Sequence, residues 1–338
     1  MNRKSIVFTA PKTVEIKEEA MPKVLPGTAI VKVMVSSISS GTERANLIGN
    51  VSVSPKRNED TIATYPRKCG YSTSGVVVEV GEGVNSVKVG DRVAMSWTTH
   101  SEYVRLEEKN IYKIEDDSIS YSEAALWHIA TFPLAAIRKC RLEMGESAVV
   151  MGMGILGIMA IKLLRAVGAA PIIAVDPIPE KRELALKLGA DYAFDPFVDN
   201  FEEQVRGVTD GGVNVAIEVT GNGKALDLVL DCMAKLGRVA LLGCTRNSDF
   251  TIDYYKKVHG PGISLIGAHT AARPAVDSYN GYWTAKDDMA AIQRMVRYKK
   301  LEFASLVEEI HSPNEAVEVY HRLANEPGFP IVQFDWEK

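Results

Sequence analysis

The sequence predicts a two-domain α/β protein in which a β-rich domain is joined to a doubly wound parallel sheet. Three observations carry that expectation. The 338 residues suit about two domains of roughly 150 residues each. The first 125 residues hold β-branched runs bounded by Gly, Pro and Ser, the mark of strands and turns. From Ser147 onward, short apolar runs alternate with helix-spaced stretches that end in glycine, the rhythm of a parallel sheet with crossover helices.

The elements follow in order. Ile6, Phe8, Val14 and Ile16 alternate near the N-terminus. Residues 29–35 (AIVKVMV) and 75–80 (GVVVEV) read as strands, with Gly81, Gly83, Gly90 and Asp91 as turns. Residues 50–68 are polar and read as a surface loop. Ser122 opens a helix-spaced stretch that runs to residue 138. Residues 147–151 form a short buried strand, 156–167 a helix stopped by Gly168, 171–175 a strand, and 180–188 a helix stopped by Gly189. Strands at 213–219, 238–242 and 264–267 accompany a helix at 223–234. Helices at 287–298 and 314–323 precede a last strand, 331–334, that returns to the first domain. The expected domains are 1–126 with 270–338, and 127–269.

Composition narrows the function. A net charge of -4, from 39 basic and 43 acidic residues, leaves no basic footprint for nucleic acid or an anionic membrane. Hydrophobic residues at 46% and charged residues at 24% exclude a disordered chain. Cys69, Cys140, Cys232 and Cys244 are scattered and form no CxxC, so neither a zinc ribbon nor a disulfide framework is expected. The N-terminus lacks the continuous apolar run of a signal peptide. The apolar stretch over 148–161 is broken by glycine and ends at Lys162 and Arg165, short of a membrane span. The expectation is a cytoplasmic protein with reduced thiols, acting on a small molecule.

Gly152-Met153-Gly154-Ile155-Leu156-Gly157 is G-x-G-x-x-G, set between an apolar strand and an amphipathic helix. The first glycine suits a tight turn, the second lets backbone approach a pyrophosphate, and the third lets the helix pack on the strand. The next strand ends in Asp176, 24 residues after Gly152, where a carboxylate accepts ribose hydroxyls of NAD and repels the 2′-phosphate of NADP. Lys181 and Arg182 keep NADP open, since either side chain suits a 2′-phosphate.

With these elements placed, VKVMVSSISSGTE (31–43), GYSTSGVVVEVGEGVNSVKVGDRV (70–93), HSEYV (100–104), LEMGESAVVMGMGILG (142–157), AIEVTGN (216–222) and GRVALLG (237–243) resemble the medium-chain dehydrogenase/reductase superfamily, the zinc alcohol dehydrogenase-like proteins. The resemblance covers essentially the whole chain. GTER, GY-S and the segment 267–284 (GAHTAARP to GYWT) are more similar to a divergent branch beside sugar, polyol and bacteriochlorophyllide dehydrogenases. It implies a GroES-like catalytic domain, a Rossmann NAD-binding domain, and a homodimer or homotetramer.

Zinc members of that family carry C-G-x-D, G-H-E and a third Cys or Glu, which hold a metal that polarises the alcohol oxygen. Here Ser40-Gly41-Thr42-Glu43, Gly70-Tyr71-Ser72 and Trp127 stand at those places, with His128 beside the last. The cysteine-rich lobe of a structural zinc is missing between Asp91 and Tyr103. Catalysis without zinc is therefore expected, with a residual site from His100, His128 and Glu43 as the alternative. The chemistry then needs a side chain to take the hydroxyl proton, and the resemblance offers Thr42, Glu43, Tyr71, His100 and His128. Thr42 matches the hydroxyl residue of the family's proton relay, although Arg44 and Ala45 replace the relay histidine. Tyr71 replaces a ligand that points at the substrate oxygen; it reads equally as a pocket filler. Histidine titrates near about 6.5, which suits proton transfer at neutral pH, but His128 and His100 read equally as satisfied core residues. Glu43 matches an Asp that braces the metal ligands, and is expected to pair with Arg44 or orient a nearby base.

The resemblance also places Thr220, Gly221, Gly243 and Cys244 beside the nicotinamide ribose and carboxamide, and Ala268, His269 and Thr270 beside the nicotinamide amide. Tyr282 and Trp283 are expected near the substrate mouth, where rings stack on a sugar; core aromatics are equally ordinary. The implied function is hydride transfer between NAD and a secondary alcohol of a sugar, polyol or cyclitol. The rivals are a zinc-free NAD(P)H-dependent enoyl or quinone reductase and a non-catalytic NAD-binding protein.

Overall fold

The computed structural model describes residues 2–50 and 65–338, so most of the expected polar loop lies outside the described residues. Two compact units emerge: Met1–Ile129 with Gln293–Lys338, and Ala130–Ile292. The second unit takes in residues 270–292, which the sequence reading placed in the first. The cause is the buried carboxylate of Asp288, which receives Arg138 at 2.8 Å and Arg273 at 3.2 Å within the second unit.

The chain opens with an antiparallel hairpin, β1 (Asn2–Ala10) and β2 (Thr13–Ala20), whose inward residues Ile6, Phe8 and Val14 are buried. β3 (Thr28–Ser37) leads into α1 (Ser40–Leu47), followed by β4 (Ser72–Val80), β5 (Arg92–Ser96), β6 (Tyr103–Glu107) and β7 (Ile111–Lys113). The helix expected from Ser122 is two: α2 (Tyr121–Ala124) and α3 (Trp127–Lys139). Ser120 caps α2 by accepting from Glu123 N–H at 3.1 Å, two residues before the expected start. The break is pinned by the Glu123 carboxylate, which accepts from the Trp127 indole at 3.2 Å and from the Phe303 and Ala304 amides at 2.7 and 2.6 Å.

The second unit runs β8 (Ala148–Met151), α4 (Ile155–Val167), β9 (Ile172–Val175), α5 (Pro179–Lys187), β10 (Tyr192–Phe194), α6 (Phe201–Gly207), β11 (Val213–Glu218), α7 (Gly223–Asp231), β12 (Met233–Leu241), β13 (Ser264–Gly267) and α8 (Ala285–Arg297). Its sheet is parallel throughout, in the order β10-β9-β8-β11-β12-β13. That is the doubly wound order, with its switch point between β8 and β11. Gly168 ends α4 in the left-handed conformation, as expected.

Back in the first unit, β14 (Glu309–His311) and α9 (Ala316–Asn325) precede β15 (Val332–Asp335). β15 pairs antiparallel with β3, so the larger sheet is ordered β14-β15-β3-β4-β5-β7, with β6 also on β3. Phe8, Leu47, Val319, Tyr320, Leu323 and Phe334 close one core under the hairpin, and Val31, Val33, Val93, Met95 and Val104 another inside the sheet. Each such side chain contributes about 1.5–3 kcal/mol on burial.

Two predictions test these contacts. A Cβ on Gly157 would stand 1.8 Å from the Gly152 carbonyl oxygen; Gly157→Ala therefore forces α4 off β8 and lowers stability by about 1–3 kcal/mol, read as a fall in Tm. Glu309 is pulled from 4.5 to about 2 by the Arg322 guanidinium, with help from His311. A depressed carboxylate contributes stability above its unfolded value and loses it as pH falls through the folded one. The Tm gap between wild type and Glu309→Gln, worth up to about 1 kcal/mol at neutral pH, closes as pH drops from about 4.5 to about 2.

Candidate functional site

In the second unit the glycine-rich turn sits at the sheet's switch point. Gly152 has φ +101°, and a Cβ there would meet the Thr220 side chain at 2.8 Å. Gly154, the N-cap of the 13-residue α4, faces open space, and no side chain caps the helix. Ile155 and Gly157 are buried beneath it, while Leu156 is half-buried. The arrangement leaves the positive end of a buried helix facing a turn without side chains, which suits a pyrophosphate.

Asp176 follows β9 and is largely buried. One carboxylate oxygen accepts from Met153 N–H in the glycine turn at 2.8 Å, the other from Ile178 N–H at 2.9 Å. The acid is thus aimed at the turn rather than at solvent. Arg182 donates to the Asp176 carbonyl at 2.7 Å and pairs with Asp195 at 3.3 Å. Lys181 packs its side chain into α5's buried face. At β11's end the buried Glu218 accepts from Thr220 N–H at 2.7 Å and Gly221 N–H at 3.1 Å, as well as from the Thr220 hydroxyl. Burial raises its carboxyl above the usual range against the pull of those bonds. Glu218 thereby fixes the turn, a role the sequence reading missed. Gly221 and Gly243 abut: a Cβ on Gly243 would lie 2.3 Å from Gly221 N. Cys244 is exposed beside them. After β13, Ala268 is buried, and the His269 Nδ1 accepts from Ala271 N–H at 3.1 Å, folding the ring onto its own turn with Thr270 half-buried beside it. Burial lowers the His269 imidazole, with Lys139 and Arg246 adding to the shift. These residues fit a dinucleotide.

Tyr282 and Trp283 belong to the second unit, with one face of each already engaged. Tyr282 stacks on Tyr279 at 5.2 Å, and the Arg138 guanidinium lies 3.6 Å over the Trp283 ring.

In the first unit the candidate residues separate into two groups. Glu43 and His100 are core residues. His100 Nε2 meets Glu43 at 3.1 Å, and its Nδ1 meets the Ser36 hydroxyl at 2.8 Å. Glu43 also accepts from the Tyr320 hydroxyl at 2.5 Å and from Ser39 N–H at 2.8 Å. Burial and the Glu43 charge raise the Tyr320 phenol well above its usual value. His100 is 0% exposed and Glu43 1%, so neither presents an atom to a substrate. The expected Glu43–Arg44 pair does not form: Arg44 instead donates to the Leu323 and Glu326 carbonyls at 2.6 and 2.5 Å, closing the end of α9.

Tyr71, His128 and Trp97 form the second group. Tyr71 and His128 meet edge to face at 5.7 Å, and Trp97 and His128 at 4.9 Å. Tyr71 donates its phenol hydrogen to Ser39. Trp97 is 51% exposed and has φ +58°, a conformation that costs a side-chain-bearing residue about 1–2 kcal/mol. Its N–H is held by the Tyr71 carbonyl at 2.9 Å. Sequence reasoning passed over Trp97, although an aromatic between Ser96 and two threonines was visible there. Thr42 is half-buried on α1, its carbonyl accepting from the Asn46 amide at 2.8 Å.

The donor set at the family's metal positions does not fit zinc. Ser40 supplies only a hydroxyl and Tyr71 only a phenol, and the fully buried Trp127 gives its indole N–H to Glu123. The alternative trio also fails to assemble, because Glu43 and His100 are locked in the core while His128 packs on two rings. Among the described residues, no group of three or more His, Cys, Asp or Glu is placed to hold a metal.

Comparison with known proteins agrees with this fold. Residues 26–127 match the alcohol dehydrogenase GroES-like domain, and residues 156–280 the zinc-binding dehydrogenase domain. The (R,R)-butanediol dehydrogenase of Bacillus subtilis is 34% identical over 238 residues, 62% of this chain and 68% of that protein. The D-guloside 3-dehydrogenase of Shigella flexneri is 25% identical over 81% of this chain and 83% of its own. The crystal structure of 2R,3R-butanediol dehydrogenase from Bacillus subtilis superposes with a TM-score of 0.81 at 25% identity, covering 98% of this chain and 99% of that one. No helix among the described residues is long and apolar enough to cross a membrane.

The Glu43 network predicts its own cost of removal. Glu43→Ala leaves His100, Tyr320 and the Ser39 amide as buried donors without acceptors, at about 1–3 kcal/mol each. Urea unfolding should show a loss of at least about 3 kcal/mol. With its glycine turn, acid-tipped second strand and GroES-like partner unit, the chain belongs to the zinc alcohol dehydrogenase-like medium-chain dehydrogenase/reductase superfamily and is an alcohol oxidoreductase of that family.

Proposed function

We propose that the chain is an NAD-dependent dehydrogenase acting on a secondary alcohol of a sugar, polyol or cyclitol, with side chains doing the work that zinc does elsewhere in the family. The observation that carries this reading is the Tyr71–His128–Trp97 group: a phenol and an imidazole in contact, beside a half-exposed indole, where the family would place metal ligands. NAD, when bound, supplies the hydride acceptor. Tyr71, as its phenolate, takes the proton of the alcohol O–H and becomes the phenol that donates to Ser39, while the buried His128 ring holds the Tyr71 ring edge to face. Trp97 offers an apolar ring face to the carbon skeleton. Thr42 stands one helical residue from Glu43 as an auxiliary hydroxyl.

The cofactor preference rests on Asp176, whose carboxylate faces the glycine turn and disfavours a further phosphate. Arg182 is held by Asp195 and the Asp176 carbonyl, which keeps it from serving a 2′-phosphate. Relatives named for butanediol and for a guloside support the alcohol class, since both are secondary alcohols.

The test is NADH absorbance with NAD and a panel of butane-2,3-diol, myo-inositol, sorbitol and methyl glycosides, before and after chelation. Turnover that survives chelation supports the reading; loss on chelation with recovery on adding Zn²⁺ overturns its zinc-free part. Turnover confined to NADPH and an enone moves the chain to the reductase class, and tight NAD binding without turnover moves it to the non-catalytic class. Tyr71→Phe and His128→Ala should each lower kcat by about 10²-fold or more, and Asp176→Ser should raise the NADP-to-NAD ratio of kcat/KM by about tenfold or more.

A further inference from the structure

We propose that Ser39 is the positioning residue for the Tyr71 phenol, its hydroxyl engaged there rather than on the first-turn amides of α1. The inference rests on the reading of Tyr71 as the proton-accepting group.

Ser39 is the N-cap of α1, and a serine there ordinarily turns its hydroxyl onto the free N–H groups of the first turn. This one makes no side-chain cap bond. Its hydroxyl oxygen accepts the Tyr71 phenol hydrogen instead. The cap residue's backbone is held from four residues on. Glu43, at the fourth helical position and so one residue past that of a capping box, accepts from Ser39 N–H through Oε1 at 2.8 Å. The Glu43 N–H in turn donates to the Ser39 carbonyl at 2.9 Å. One acidic residue thus fixes the cap residue's backbone on both sides, while its hydroxyl is unclaimed by the helix.

The carboxylate that does this is itself immobile. His100 and the Tyr320 hydroxyl both reach its other oxygen, and all three side chains are buried. Ser39 is 4% exposed, so the acceptor for Tyr71 is anchored to the core rather than to a surface loop. On the other side the Tyr71 ring is held by His128 and Trp97. As the phenolate, Tyr71 accepts from the Ser39 hydroxyl, and on taking the alcohol proton it becomes the phenol that donates to Ser39, so one contact holds its oxygen in both protonation states. Ser39 thereby fixes the atom that must take the alcohol proton as hydride leaves.

Ser39→Ala tests the inference without disturbing the core, because Glu43 still satisfies the cap amide. With (R,R)-butane-2,3-diol as the probe alcohol and saturating NAD, it should lower kcat roughly ten- to a hundredfold. KM and Tm should change little, and Ser39→Thr, which keeps the hydroxyl, should recover most of the loss. A readout that needs no turnover is the Cζ resonance of Tyr71 in ¹³C-tyrosine-labelled protein, assigned with Tyr71→Phe. It should move in Ser39→Ala and return toward wild type in Ser39→Thr. An unmoved resonance, or wild-type kcat in Ser39→Ala beside an inactive Tyr71→Phe, overturns the inference and leaves the reading of Tyr71 standing. A fully active Tyr71→Phe overturns that reading, and the inference with it.

Discussion

The first unit is organised around the buried carboxylate of Glu43. The Glu43 side chain is buried, and an unbalanced charge in that place costs several kcal/mol. It is tolerated because three donors reach it together: the Ser39 amide, the His100 ring and the Tyr320 hydroxyl. Those donors come from the entry to α1, the segment before β6, and α9. His100 extends the tie to Ser36 at the end of β3, and Ser36 accepts from the Trp336 indole at 2.9 Å just past β15. No one of these segments can settle without the others, so the carboxylate couples parts of the chain that hydrophobic burial alone would join more loosely. Its charge is felt by its neighbours: with burial, it lifts both the Tyr320 phenol and the Cys69 thiol.

The second unit solves a different problem, the approach of backbone to backbone. Its parallel strands and helices can meet at the switch point only where side chains are missing, as at Gly152, Gly157, Gly221 and Gly243. The two polar anchors there, Asp176 and Glu218, spend their oxygens on backbone N–H groups of the adjoining turns. A rigid, side-chain-free turn at a helix N-terminus results, and the remaining function follows from what can be laid on it.

Much of this was legible in the sequence because it rests on local pattern. Strand–glycine–helix alternation gave the second unit's order, and G-x-G-x-x-G with Asp176 gave its turn. Substitution at the family's metal positions was visible as Ser40, Tyr71 and Trp127. What stayed hidden depended on pairs far apart in the chain. Nothing near His100 announces Glu43 as its partner, and nothing near Tyr320 marks its hydroxyl as the third donor, so His100 looked like a base. Arg44 looked like the partner of Glu43 because it is adjacent, yet on a helix neighbouring residues point apart. The boundary near residue 270 was missed for the same reason, since Asp288 is tied to Arg138 and Arg273 by contacts that no periodicity encodes. The unused cap at Ser39 is the subtlest case, because serine before a helix already has an ordinary explanation.

The place of β15 in the larger sheet has a consequence for synthesis. It lies between β14 and β3, and residues 293–338 are translated only after the whole of the second unit. The second unit is continuous in the chain and has all its strands once residue 267 has emerged. The first must hold residues 35–37 of β3 without β15, although β6 covers residues 28–32, and Glu43 without Tyr320, which lies 277 residues further on, an interval on the order of fifteen to sixty seconds at ordinary elongation rates. A nascent chain stalled within that interval would carry a finished nucleotide-binding fold and an unfinished first unit, its β3 still unpaired by β15 and its buried acid still one donor short.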